Sequence, residues 1–308
     1  MLLRRFTDFI LQSHLQAMGV AFLLSFIPLV GGSLSILIAA LVTLRKGAFA
    51  GTLVLCAAIV PYLLSYAYSA SEQTQVMLIA TTIIITINIL TWLYALLLRR
   101  YNNWSLVIEI AALSGIIAVG VIYFIYPDVQ SWWLAELSKY TNKMMEQAAA
   151  DGAALPEEMQ AGITTSVQEF KRYATGILVV SILFNAVFQL ILARWWQAIV
   201  FNPGGLRKEL HQIRLSSLAV VVFIVVAGLA YAGQAFSLDI LPIVVTAFCA
   251  GGLSLIHNLL MSNTAGWFWL TLVYLGVMFL SWMGIVVIAM AGVLDSLLDF
   301  RKRLGTMN

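Results

Sequence analysis

The sequence predicts an all-α, polytopic transmembrane helical bundle of about eight to ten membrane segments, with one amphipathic helical loop outside the membrane. Three observations carry this expectation. The 308 residues are 62% hydrophobic and 10% charged, with a mean hydropathy of +0.95. Soluble domains hold about 45–50% apolar and about 25% charged residues, so no soluble fold could hide this much apolar surface. The apolar residues also come in long continuous runs rather than in alternation, which excludes a β-barrel. Finally, a single stretch, residues 127–172, is long and polar.

Taken in order, Arg4 and Arg5 precede a short amphipathic start. Residues 15–44 are apolar but broken by Pro28 and Gly31-Gly32, which predicts a pair of short or bent helices. No cleavage site precedes this run, so it reads as a retained helix and not a signal peptide. Arg45-Lys46-Gly47 closes it, and apolar runs follow at 48–68, 76–98, 105–126, 174–200, 216–236 and 240–261. The last run, 266–298, is long for one upright span. It is either two short passes divided near Gly284 or one tilted helix.

Charge orients these segments. The 127–172 loop holds seven acidic and four basic residues, a net charge of −3. The remainder carries thirteen basic against seven acidic residues. Its bases cluster at 4–5, 45–46, 99–100, 194–214 and 301–303. If 15–44 is a hairpin, the first four clusters fall on one face, which the positive-inside rule makes cytoplasmic. The expectation is a bacterial inner-membrane protein, multi-pass, with both termini cytoplasmic and residues 127–172 outside. The whole of 1–308 then reads as a single membrane domain, with 127–172 an extracytoplasmic helical cap. Within the cap, Val129, Trp133, Leu137, Tyr140 and Met144 recur at helical spacing, as do Met159, Ile163, Val167 and Phe170. Asp151-Gly152 and Pro156-Glu157-Glu158 mark the break and the start of the second helix.

Polar residues inside the apolar runs are the candidate site. Ser181, Asn185 and Gln189 lie four residues apart on one face of the 174–200 helix, and Asn88 lies among threonines in the 76–98 helix. They serve either as a small-molecule binding site or as hydrogen-bonding adhesive between helices, worth roughly 0.6 kcal/mol per bond in membranes. Glu109, one turn into its helix, calls for a partner such as Arg99, Arg100 or Arg194. Asp299 can pair with Lys302 or Arg303 at helical spacing.

Several functions lack their residues. His257 has no second ligand nearby in the sequence and Cys56 and Cys249 sit alone in apolar runs, so no metal and no disulfide is expected. Gly204-Gly205 lacks the lysine and hydroxyl residue of a phosphate loop. No acid–base pair for catalysis stands out, so the chain is not read as an enzyme; no cofactor and no nucleic-acid partner is expected.

Four stretches together resemble one family: Arg45-Lys46-Gly47; Trp195-Trp196 leading to Asn202-Pro203-Gly204-Gly205; Gly251-Gly252-Leu253 leading to His257; and Gly292-Val293-Leu294-Asp295-Ser296 leading to Asp299-Phe300-Arg301-Lys302-Arg303. Over nearly the whole chain they resemble the YybS-like bacterial membrane proteins, a family similar to the S-components of energy-coupling-factor vitamin transporters. The resemblance implies that Ala17 and Ala21, in an Ala-x-x-x-Ala pattern on the first helix, meet a membrane coupling subunit. Beside the lipid bilayer, the expected partners are therefore a small-molecule ligand and that subunit or another membrane protein. The functional expectation is a small-molecule binding or transport-related, S-component-like protein; the alternative is a structural protein that scaffolds an envelope complex without transport.

Overall fold

The computed structural model describes residues 2–27, 30–68, 74–153, 155–260 and 265–305. Pro28, one of the expected breaks, lies outside the described residues. Among the described residues there are fifteen helices and no strand. They are α1 (Leu2–Gln12), α2 (His14–Leu24), α3 (Gly31–Lys46), α4 (Ala48–Tyr68), α5 (Thr74–Tyr101), α6 (Trp104–Ile125), α7 (Val129–Ala150), α8 (Glu157–Phe170), α9 (Ala174–Phe201), α10 (Gly205–Leu210), α11 (Ser217–Tyr231), α12 (Ala235–Leu260), α13 (Gly266–Leu280), α14 (Trp282–Leu298) and α15 (Phe300–Gly305). Five of them, α4, α5, α6, α9 and α12, are long and apolar enough to cross a membrane, and α2, α11, α13 and α14 are shorter apolar helices. The chain is an all-α, multi-pass membrane bundle.

The apolar run 15–44 forms two short helices, α2 and α3, and the cap forms α7 and α8, which pack on each other. The 266–298 run breaks at Ser281 (φ 53°), three residues before Gly284. A Cβ on Gly284 would lie 2.7 Å from the Cα of Val277. In one straight helix those residues would stand about 10 Å apart, at roughly 1.5 Å per residue. The chain therefore folds back on itself, and α13 and α14 form a hairpin.

The helices assemble into two compact units. Unit 1 comprises Met1–Ala111, Ile182–Arg214 and Leu253–Val273; unit 2 comprises Ala112–Ser181, Leu215–Gly252 and Tyr274–Asn308.

In unit 1, Ile10, Ile36, Ile38, Val42 and Val54 are buried among Ala17, Ala21, Ala39, Ala50 and Ala58. Lipid tails are as apolar as leucine, so helices associate in a bilayer by close packing and hydrogen bonds; the alanines permit that approach. A single residue, Gly47, joins α3 to α4 at φ 102°, where a side chain would be strained. Arg99 of α5 closes the same corner, donating from its Nη1 to the carbonyls of Thr43 (3.1 Å) and Leu44 (3.0 Å). A cation at a helix C-terminus satisfies orphan carbonyls and meets the negative end of the helix dipole.

The basic connector after α9 is equally fixed. Gly204 turns the chain at φ 81°, and α10 brings Glu209 back to Arg194, Nη2 to Oε1 at 2.5 Å. Trp104 Nε1 donates to the other oxygen of the same carboxylate at 3.0 Å. At the start of the chain, Trp196 Nε1 donates to Thr7 Oγ1 at 2.8 Å and its ring stacks on Phe6, which ties α1 to α9.

In unit 2, α12 and α14 touch backbone to backbone. A Cβ on Gly252 would sit 1.9 Å from the carbonyl oxygen of Ile288, and one on Gly292 would sit 2.2 Å from that of Phe248. Asp295 of α14 is buried and pairs with Arg301 Nε at 2.9 Å, while Lys302 reaches Asp299 at 3.3 Å.

Candidate functional site

Unit 1 contains a cavity of about 440 Å³, within the few-hundred-Å³ range of small-molecule sites. Its walls come from four places. The end of α2 and the start of α3 contribute Ser25, Phe26 and Gly31-Gly32-Ser33; α4 contributes Pro61, Tyr62 and Ser65; α5 contributes Asn88; and α9 contributes Asn185 and Gln189. Because α3 and α5 run toward Arg45-Lys46 and Arg99-Arg100, the cavity lies toward the end of unit 1 remote from those bases.

Three of the four candidate ligand residues thus line one cavity, although they come from helices about a hundred residues apart in sequence. Asn88 is 1% exposed, and its Nδ2 has no hydrogen-bond partner. A buried amide N–H left unpaired costs about 1–3 kcal/mol. Gln189 is also buried but fixed: Thr91 Oγ1 donates to its Oε1 at 3.2 Å and its Nε2 donates to Ser33 Oγ at 3.4 Å. Asn185 is the exposed member.

Ser181 is not among the lining residues. It is exposed, and its hydroxyl donates to the carbonyl of Ile177 at 2.9 Å. Ser33, Tyr62 and Ser65 line the cavity without having been expected to. The polar groups of the turn after a broken apolar run were the signal that could have found Ser33.

The cavity's described lining contains no Asp, Glu, Lys, Arg or His. Close packing is supplied by glycine: a Cβ on Gly32 would lie 2.8 Å from the Tyr62 hydroxyl oxygen. Pro61 sits inside α4, where it has no N–H to offer the preceding turn. The arrangement can hydrogen-bond and enclose an uncharged polar molecule. Among the described residues no three His, Cys, Asp or Glu side chains gather as a metal site would require; the His211 and His257 rings stand with centroids 6.1 Å apart.

Ala17 and Ala21, which the family resemblance assigns to a partner interface, are buried. They are 1% and 0% exposed, inside the core of unit 1, where α2 packs on α3 and α4. Their small side chains serve the chain's own helix packing.

A second polar centre, in unit 2, was not anticipated from the sequence. Asp239, in the first turns of α12, is fully buried. Its Oδ2 accepts from the Tyr123 hydroxyl at 2.7 Å and its Oδ1 from the Gly176 N–H at 3.0 Å. Gly176 is in the first turn of α9, so the carboxylate satisfies an orphan donor and lies at the positive end of that helix dipole. Gln130 of α7 donates to the Tyr123 oxygen at 3.3 Å, and Trp133 of α7 donates to Thr175 at 3.0 Å. The cap helix α7 is thereby hydrogen-bonded to α6 and α9 beside one buried acid.

Fold and cavity together define a polytopic helical membrane protein with an uncharged polar cavity inside the bundle. No protein-family model matches the chain. No curated protein and no solved structure matches it either.

Proposed function

We propose that the protein binds a small uncharged polar molecule in the unit 1 cavity and takes part in its transport, as an S-component-like protein of the bacterial inner membrane. The observation that carries this reading is Asn88: a buried amide without a partner, on the wall of a ligand-sized cavity shared with Asn185 and Gln189. Buried polar groups are nearly always satisfied, and a ligand is the partner this one lacks. The bases at Arg45, Lys46, Arg99 and Arg100, read by the positive-inside rule, support an orientation with the cavity toward the outer face and both termini inside. The reading assigns no catalysis and no cofactor.

The test is native mass spectrometry of the protein released from membranes in mild detergent. A small molecule should remain bound to the wild-type protein and be lost from Asn88→Leu, whose fold is checked by circular dichroism. A wild-type protein that carries no small molecule and gains no thermal stability from any member of a polar metabolite panel would sink the reading.

The scaffold alternative has its own support. On α7 and α8, Tyr140, Met144 and Met159 are 61%, 69% and 53% exposed, apolar surface that a protein partner would cover. It predicts a stable membrane-protein partner that is lost when these three residues are changed to serine, with the cavity empty.

A further inference from the structure

We propose that a groove at the basic end of unit 1 binds the headgroup of an aminophospholipid, with the lipid phosphate on Arg5 and Arg45 and its ammonium group at Asp8. The groove, of about 650 Å³, is lined by Arg5, Asp8, Phe9 and Gln12 of α1, by Arg45 at the end of α3 and by Phe201 at the end of α9. It is separate from the cavity of Asn88 and does not depend on that site's function.

Its chemistry is that of a zwitterion receptor. The Arg45 guanidinium lies 3.9 Å over the Phe201 ring. Stacking uses the face of the guanidinium and leaves its in-plane N–H groups for a phosphate, which arginine grips in a fork. Arg5 and Asp8 stand one helical turn apart on α1, and neither has an ion-pair partner among the described residues. Two cations alone would suit any anionic lipid. The carboxylate between them in the sequence of the groove wall disfavours a second negative charge and offers an acceptor to a primary ammonium.

The position is right for a headgroup. α1 exposes Leu2, Phe6 and Phe9 along one strip and Arg5, Asp8 and Gln12 along the next, so the groove opens at the border of its apolar and polar faces. An amphipathic helix lies in the bilayer surface with that border at headgroup depth. The Thr7–Trp196 hydrogen bond and the Phe6–Trp196 stack hold α1 in place, so the groove is a fixed feature of the fold.

The experiment is lipid competition in nanodiscs of equal phosphatidylethanolamine, phosphatidylglycerol and phosphatidylcholine, read by native mass spectrometry of the lipids retained on the ejected protein. Phosphatidylethanolamine should be retained about tenfold over phosphatidylcholine, the size of one charge-assisted hydrogen bond. Arg45→Gln should abolish the preference, and Asp8→Asn should shift it toward phosphatidylglycerol. On the wild-type protein, stepwise N-methylation of phosphatidylethanolamine should lower retention at each step, a readout that needs no variant to fold. Equal retention of the three lipids, preference for phosphatidylglycerol by the wild type, or indifference to N-methylation would each overturn the proposal.

Discussion

The hydroxyl of Tyr123 donates to Oδ2 of Asp239 at 2.7 Å, joining the end of α6 to the beginning of α12. An acid in an apolar helix is expensive unless its oxygens are satisfied, and here both are. Tyr123→Phe should therefore lower stability by about 1–2 kcal/mol, between the roughly 0.6 kcal/mol average for side-chain bonds in membranes and the larger values for bonds to charged groups. Gly176→Ala should be worse, because the new Cβ would fall 1.7 Å from the backbone oxygen of Asp239. Unfolding in mixed detergent, measured for both variants, checks the ranking; equal stability of wild type and Gly176→Ala would refute the close approach of α9 and α12.

Glycines in this chain should separate into two groups by substitution. Gly252→Ala and Gly292→Ala push a methyl group into the facing backbone, at 1.9 Å and 2.2 Å, and should sharply lower the melting temperature. Gly228, in α11, has nothing within 4 Å of its Cβ position. Gly228→Ala should be neutral or stabilising by up to about 1 kcal/mol, since alanine is the better helix former. Thermal melts of the three purified variants decide this.

Arg194 and Glu209 are 19% and 16% exposed in their side chains, so water screens them little. A double-mutant cycle of Arg194→Gln and Glu209→Gln should return a coupling of about 1–2 kcal/mol. Trp104→Phe, which removes the second donor to Glu209, should weaken that coupling. Additive single changes would show that the connector is held by other contacts.

The hairpin at Ser281 makes a prediction about the parity of the chain. With α13 and α14 as separate passes, alkaline phosphatase fused after Ala150 should be active, and fused after Lys302 inactive. Fluorescent-protein fusions at the two termini should both fold and glow. An active phosphatase at Lys302 would mean that α13 and α14 do not both cross.

Much of the helical layout was legible in the sequence because a membrane segment announces itself by length and apolar content. The runs 48–68 and 174–200 match α4 and α9 within a residue at each end. Turn positions were less legible: the last run breaks at Ser281, where no glycine or proline marks it, and Gly284 instead supplies the close approach to Val277. The four-residue spacing of Ser181, Asn185 and Gln189 identified a polar face but not how far along it a cavity extends. That limit is set by the Ser25–Ser33 turn and Tyr62, which are non-local. Ala17 and Ala21 show the same limit differently, since a small-xxx-small pattern says that something packs closely and not what. Asp239 was missed because it falls between two apolar runs and so reads as loop, whereas α12 begins at Ala235 and encloses it.

The short helices α11 and α14, of 15 and 17 residues, pack against each other. At roughly 1.5 Å per residue they reach about 22–26 Å, against about 30 Å of hydrocarbon in an ordinary bilayer. Where this pair crosses the bilayer, the shortfall is gathered at one place on unit 2, to be met by thinner lipid or by exposed aromatics such as Tyr231 and Trp282 reaching toward the headgroups. Acyl-chain length would then act on this protein as a mechanical load, applied to the α11–α14 pair and absent from a thin bilayer.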